Sequence, residues 1–133
     1  MDNIDLKILE KLEEDARTPF LQIAKELNVS EGTIRKRVAL MKKDNIIKKF
    51  TIKREKDATA IVGIVTNPHV LTSEIIKKLK RLKTKVIYEV TGRYDLICTI
   101  SAKDLSDAND MLELIRTTTG VEHTETFTIL KEN

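Results

Sequence analysis

The sequence predicts an α+β protein in which an N-terminal helix-turn-helix domain precedes a ferredoxin-like βαββαβ domain. In the first 45 residues the apolar side chains recur every three or four positions, which is the period of a helix. From residue 60 onward, strand-like apolar runs alternate with helical segments in the order strand, helix, strand, strand, helix, strand. We assign the helix-turn-helix domain to 1–52, a charged hinge to 53–58, and the second domain to 59–133.

The first three helices are predicted from their apolar stripes and their capping residues. Ile4, Ile8 and Leu12 form the stripe of the first helix. Thr18-Pro19 supplies a cap and a first-turn proline for the second helix, and Ser30 caps the third. Asn45 suits the left-handed conformation at a helix end, and residues 46–52 are expected to be extended. The apolar faces of the second and third helices are Ile23, Ala24, Leu27, Ile34, Val38 and Met41.

Positive charge is concentrated where the third helix is predicted. The 133 residues carry a net charge of +3, but residues 31–57 hold 10 basic and 4 acidic side chains, whereas residues 58–133 hold 10 of each. Local basic density favours polyanion binding, because phosphate neutralisation releases condensed counterions. A helical hairpin with a solvated basic face is the alternative. We expect Arg35 and Arg37 to face outward, and the residues predicted to bind double-stranded DNA are Ser30, Glu31, Thr33, Arg35, Lys36, Arg37, Lys42 and Lys43.

In the second domain we predict strands at 60–66, 86–91, 96–101 and 121–130, with a turn at 92–95. Thr72 or Ser73 is expected to cap the first helix of this domain, and Asp104 the second. The side chains predicted to face the core from these helices are Ile75, Ile76, Leu79, Leu82, Leu105, Ala108, Leu112 and Ile115.

The first strand of this domain is apolar on both faces, and the third strand nearly so. Helices cover one face of a βαββαβ sheet, so the second face needs another cover. A second copy of the chain is the expected cover, and the homodimer that results also suits a protein that binds two DNA half-sites.

Three motifs occur in order along the chain: Asp2-x-x-Asp5-x-x-Ile8-Leu9-x-x-Leu12-x-x-Asp15-Ala16-Arg17, then Ile23-Ala-Lys-Glu-Leu-Asn-Val-Ser30-x-x-Thr33-x-x-x-Arg37-Val38, then Thr91-Gly-Arg-Tyr-Asp-Leu96 with a closing Gly120-Val121-x-x-Thr124-x-Thr126. Together they resemble the Lrp/AsnC family, the feast/famine regulators, over essentially the whole chain. Asn45 departs from the glycine that this family commonly has there. The resemblance implies a transcription regulator that dimerises through its C-terminal domain, assembles further into an octamer or another higher assembly, and senses an amino acid.

The resemblance also implies an effector site at the turn of residues 92–95. In the alternative interpretation this is a simple hairpin in which Asp95 bonds nearby backbone amides, and the threonines of the last strand form a solvated face. Acidic side chains such as Asp95 and Glu125 favour a basic amino acid, lysine or arginine. The predicted effector-binding residues are Gly92, Arg93, Tyr94, Asp95, Thr124, Glu125 and Thr126.

Enzymatic activity is not expected. His69, His123 and Cys98 are scattered, and the sequence shows no metal-ligand spacing, nucleophile elbow or phosphate loop, so we predict no cofactor and no metal. RNA binding by the sheet would need more aromatic residues than Tyr88. The lone cysteine and the absence of a long apolar run predict a cytoplasmic protein without a membrane partner. The alternative function is an architectural DNA-binding protein without a small-molecule effector; a pure metabolite-binding module is more distant.

Overall fold

The computed structural model describes residues 1–54 and 58–133. Within them the chain forms two compact units, Met1–Lys53 and Arg54–Asn133. The predicted hinge, 53–58, includes residues 55–57, which lie outside the described residues.

The first unit is a three-helix domain: α1 (Asn3–Glu14), α2 (Phe20–Leu27) and α3 (Glu31–Lys43). A reciprocal capping box starts α1, since the Asp5 amide donates to the Asp2 carboxylate at 3.0 Å and the Asp2 amide donates to that of Asp5 at 3.2 Å. The N-cap of α2 is Pro19 and not Thr18 as predicted. The Thr18 hydroxyl instead donates to the Asp15 carbonyl at 2.7 Å, in the turn that follows α1.

The core of this unit contains the predicted stripes of all three helices. The backbone after α3 turns at Asn45, whose φ of 58° is the left-handed conformation predicted for it. The amides of Ile46 and Ile47 then donate to the Met41 carbonyl at 2.9 and 3.1 Å. Described residues 46–54 form neither a helix nor a strand. The buried side chains of the unit are Ile8, Leu12, Ile23, Ala24, Ile34, Val38 and Met41.

The second unit has the predicted βαββαβ order. Its elements are β1 (Ala60–Thr66), α4 (Thr72–Arg81), β2 (Val86–Glu89), β3 (Leu96–Ile100), α5 (Leu105–Arg116) and β4 (Val121–Thr128). The sheet order is β2-β3-β1-β4 with every neighbouring pair antiparallel. This places β1 and β3 in the centre, where a strand has the most buried surroundings.

One face of this sheet packs against the helices, and the other we call the open face. On β1, Val62 and Ile64 are fully buried with the helices, whereas Ile61 and Gly63 point to the open face. Residues that are opposite each other on neighbouring strands lie on the same face of the sheet. The open face therefore carries Val86, Tyr88, Ile97, Thr99, Ile61, Gly63, Val65, Phe127 and Glu125.

Three details of the helices differ from the prediction. Leu105 is 78% exposed rather than in the core, because it directly follows the cap Asp104 and the core face of α5 is formed by Ala108, Met111 and Ile115. The predicted core residues Ile76, Leu82 and Leu112 are partly buried at the edge of the core. Neither Thr72 nor Ser73 caps α4: its N-cap is Leu71, whose carbonyl already accepts the amides of Glu74 and Ile75.

Candidate DNA-binding and effector sites

The segment from α2 to α3 has helix-turn-helix geometry. Asn28 ends α2 in the left-handed conformation at φ 58°, and the Val29 amide donates to the Ala24 carbonyl at 3.0 Å. Ser30 begins α3, since its hydroxyl accepts the Thr33 amide at 3.1 Å and lies 2.8 Å from the Thr33 hydroxyl. Both hydroxyls are therefore engaged in the cap.

The helical period of α3 determines which of its residues point away from the core. Ile34, Val38 and Met41 are buried, and about 180° from them, at 100° per residue, lie Gly32, Lys36 and Lys43. Lys36 and Lys43 are exposed and have no ion pair among the described residues. Gly32 was missed from the sequence, although a glycine early in a helix signals close approach of a partner. A Cβ there would find only the Ser30 hydroxyl, 3.9 Å away. This face can therefore approach a DNA groove closely.

Arg37 does not face outward as the sequence analysis predicts. Its Nη1 donates to Asp2 Oδ2 at 2.6 Å and to Asp5 Oδ1 at 3.1 Å, and its side chain is 30% exposed. It lies about 60° from Ile34 around α3, beside the core, so it reaches α1. These contacts raise the pKa of Arg37, and the pKa of Asp2 is lowered, first by the Asp5 amide and then by Arg37.

The other predicted DNA-binding residues flank the outward face. Arg35 is exposed and forms an ion pair with Glu31 one turn earlier, a surface contact that is easily exchanged for a phosphate. The Lys42 ammonium lies 5.6 Å from the centre of the Phe50 ring. The lysines and Arg35 thus supply exposed positive charge, while Ser30, Thr33 and Arg37 make contacts within the three-helix unit.

In the second unit, the turn of residues 92–95 is tied to the end of β1. Gly92 has a φ of 118°, which favours glycine. Asp95 Oδ2 accepts the amide of Thr66 at 2.8 Å and its hydroxyl at 3.2 Å, and the Asp95 amide donates to the Ile64 carbonyl at 2.9 Å. The Asp95 carboxylate therefore joins two segments 29 residues apart in the sequence.

Beside this turn, Tyr94 lies against the backbone of Gly63. A Cβ added at Gly63 would be 2.8 to 2.9 Å from three atoms of the Tyr94 ring, so the ring occupies the space that a side chain would need. Gly63 is opposite Glu125 in the register of β1 and β4, which puts the Glu125 carboxylate on the same open face. The signal for this site in the sequence was a glycine within an otherwise apolar strand.

The structure does not bring all predicted effector residues together. Thr124 and Thr126 are opposite Ile64 and Val62, whose side chains point to the helices. They line a surface cleft of about 450 Å³ with Leu112 and Arg116 of α5. Because side chains alternate along a strand, Thr124 and Thr126 lie on the other side of the sheet from Glu125. Gly92 and Arg93 are exposed at the turn itself.

The described residues contain neither a candidate metal site nor a candidate membrane-spanning helix. No cluster of His, Cys, Asp and Glu that could hold a metal ion is found among them. No described helix is long and apolar enough to cross a membrane. Cys98 is buried in the sheet core, and burial raises the pKa of its thiol to about 11.

Both units match models of one family. Residues 1–42 match the AsnC-type helix-turn-helix domain, and residues 59–133 match the Lrp/AsnC ligand binding domain. The chain belongs to the Lrp/AsnC family. The predicted family, the fold class and the assignment as a transcription regulator rather than an enzyme are thereby confirmed.

The relatives span nearly the full length of the chain. The HTH-type transcriptional regulator LysM of Sulfurisphaera tokodaii is 40% identical over 98% of this chain and 96% of its own. The structure of E. coli AsnC aligns with a TM-score of 0.80 at 28% identity, covering 99% of this chain and 93% of that one. A feast or famine regulatory protein from M. tuberculosis, solved in complex with L-methionine, shares the fold at 20% identity with a TM-score of 0.85, covering 98% and 92%.

Proposed function

We propose that this member of the Lrp/AsnC family binds specific DNA sequences through α3 and changes that binding in response to a basic amino acid, lysine or arginine. The outward face of α3 carries the DNA-binding part of the proposal, since Lys36 and Lys43 are exposed there without ion pairs among the described residues, next to the small Gly32. The single buried cysteine, Cys98, suits action in the cytoplasm.

Sequence specificity separates this function from that of an architectural DNA-binding protein. A duplex selected by the full chain from a random pool, and a scrambled version of it, should differ in affinity by about 10³-fold or more at fixed salt. Lys36→Ala should lower affinity, and Lys7→Ala on α1 is the matched control, since it removes the same charge from the same unit. Equal affinity for both duplexes would support the architectural function instead.

For the effector, we propose a site on the open face around Gly63. Here the Tyr94 ring provides an apolar wall and Glu125 a carboxylate suited to a side-chain ammonium or guanidinium group. The bonds from Thr66 keep the Asp95 turn beside this wall, so Asp95 acts in the proposal by holding the turn. The methionine bound by the M. tuberculosis protein shows that the fold accommodates a free amino acid in that protein.

Calorimetry with lysine, arginine and methionine tests this site. We expect lysine and arginine to bind the wild-type chain. Glu125→Gln should lower their affinity by about tenfold or more, because the variant lacks the carboxylate that balances their positive charge. Glu122→Gln, which removes another exposed carboxylate of β4, is the control and should bind like the wild type. Methionine binding as tightly as lysine would contradict the basic preference.

The open face also supports a homodimer, in which a second copy covers it, so that the proposed effector site around Gly63 lies at the interface between the two copies. Its apolar side chains Ile61, Val86, Tyr88 and Phe127 are 37 to 55% exposed in the single chain. Ile61→Glu should therefore yield monomers in sedimentation at micromolar concentration. Leu114→Glu changes an apolar residue of α5 that is 51% exposed and should leave the dimer intact. Further association of dimers into octamers would appear in the same experiment as a larger species.

A further inference from the structure

The positive charge of the second unit is concentrated at the end of α4. Residues 58–133 have as many acidic as basic side chains, yet no acidic residue occurs between Glu74 and Glu89. Six of the ten basic residues lie in that interval, and we call them the α4 basic surface: Lys77, Lys78, Lys80, Arg81, Lys83 and Lys85. The four within the helix span an arc of about 160° on the side away from buried Ile75 and Leu79. Residues 58–133 thus have no net charge, but their positive charges are unevenly distributed.

Most of the α4 basic surface has no neutralising partner among the described residues. Lys77 forms a long ion pair of 3.5 Å with Glu74, and the other five side chains form none among the described residues. The carboxylates of α5 differ: Asp104 and Asp107 accept backbone amides, and Glu113 pairs with Arg116 at 2.8 Å. The carboxylates at α5 are thus largely bonded within the chain, whereas five of the six side chains of the α4 basic surface have no ion pair among the described residues and are left to an external anion.

Lys83 provides an independent observation. It follows the C-cap Leu82 with a φ of 62°, in the left-handed conformation where glycine carries no steric cost. In the part of the chain that the structure describes, the other two non-glycine residues with positive φ are asparagines, Asn28 and Asn45, which tolerate this conformation. A lysine at this position carries a conformational cost that glycine would avoid, and it extends the series of cations beyond the end of α4.

We infer that the α4 basic surface is a second DNA-binding surface, which contacts the phosphate backbone and adds affinity without sequence preference. Lysine-rich surfaces of this kind bind as point charges along a polyanion, and the regularly spaced phosphates of a duplex match several cations on one helix face. A second copy of the chain is a weaker candidate, since most carboxylates of α5 are already bonded within their own protomer. The inference rests on the proposed DNA-binding function.

Salt dependence of binding to a long random-sequence duplex tests the inference with the full chain. In Lys80→Gln/Lys83→Gln, the slope of log affinity against log salt should become shallower by roughly 1–2, since each lost phosphate contact contributes about 0.9. The matched control is Lys103→Gln/Lys131→Gln, which removes two exposed charges from the same unit and should keep the wild-type slope. A smaller slope in both variants, or in neither, would overturn the inference.

Lys83→Gly supplies a test that separates binding from folding. Glycine relieves the left-handed strain, so the Tm should rise by roughly 2–6 °C while affinity for random DNA falls. A Tm increase with unchanged DNA affinity would contradict the inference.

Two further outcomes have distinct meanings. If Lys80→Gln/Lys83→Gln dissociates larger assemblies in sedimentation without DNA and leaves the salt slope unchanged, the surface binds a second copy and the inference is wrong. If the wild-type chain itself binds no DNA, the proposed function fails as well. Wild-type binding with identical slopes in all variants refutes this second surface alone.

Discussion

Arg37 of α3 bonds Asp2, the N-cap of α1, with 2.6 Å between Nη1 and Oδ2 although 35 residues separate them in the sequence. The same guanidinium also reaches Asp5, so both carboxylates of the capping box contact the helix that carries the DNA-binding face. This fixes the start of α1 against α3. Arg37, one of the residues predicted to bind DNA, thus joins α3 to the start of α1.

Arg37→Ala should therefore destabilise the first unit. Its loss leaves Asp2 and Asp5 without their shared partner, and we expect a lower free energy of unfolding in chemical denaturation than for the wild type. Arg35→Ala removes the same charge from the same helix but breaks only a surface pair with Glu31, so its stability should stay within about 0.5 kcal/mol. Similar losses in both variants would argue against a positioning role for Arg37.

Acid should weaken the same contact. The folded-state pKa of Asp2 lies below its ordinary value, so the stabilisation is complete above that ordinary value and is lost as pH falls toward the folded-state pKa. Asp2→Asn keeps a capping side chain but removes the charge. The difference in free energy of unfolding between wild type and Asp2→Asn should shrink as pH falls below the ordinary pKa of Asp2. A difference constant down to strongly acid pH would show that the charge is unimportant.

Gly32→Ala should separate helix stability from DNA binding. A Cβ at this position meets only the Ser30 hydroxyl at 3.9 Å, so we expect the fold to gain up to about 1 kcal/mol from the helix propensity of alanine. On the outward face the added methyl group would hold DNA away, and affinity should fall about tenfold, or ~1.4 kcal/mol. Ala39→Ser, on the same exposed face, is a control of similar size. Unchanged DNA affinity in Gly32→Ala would exclude close approach at this position.

Gly63→Ala should force the Tyr94 ring from its place. Overlap at 2.8 to 2.9 Å cannot be absorbed without movement, and overpacking of this kind costs about 1–3 kcal/mol. Unfolding of Gly63→Ala, Tyr94→Ala and the double variant forms a double-mutant cycle. The double variant should lose less stability than the sum of the single variants, because removing the ring makes room for the methyl group. Strict additivity would mean that the two residues do not compete for the same space.

Cys98 should report on unfolding of the second unit. Its thiol is buried and has a pKa of about 11, so little of the reactive thiolate forms at neutral pH in the folded chain. We expect a thiol reagent to label Cys98 slowly in native buffer and rapidly in denaturant, with mass spectrometry as the readout. Fast labelling of the native chain would show that the strand core opens frequently.

Much of this architecture follows from short-range patterns in the sequence. The period of Ile34, Val38 and Met41 identifies a helix and its buried face, because burial imposes a repeat on an element that packs on one side. The nearly continuous apolar run of β1 indicates a strand that is covered on both faces. The left-handed conformation of Asn45 was also predictable from the sequence, because it depends on the residue's own backbone preference. The order of such elements was enough to predict the βαββαβ fold.

Which functional side chains meet was decided by tertiary structure. The sequence analysis predicts Arg37 among the DNA-binding residues. In the structure α1 packs beside α3, and Arg37 forms ion pairs with Asp2 and Asp5. Thr124, Glu125 and Thr126 are consecutive, but pairing with β1 places the threonines on the side of the sheet that faces α5 and Glu125 on the open face opposite Gly63. Local pattern specifies the conformation and the buried side of each element. The partner of a polar side chain depends on strand register and helix packing, which bring together residues far apart in the sequence.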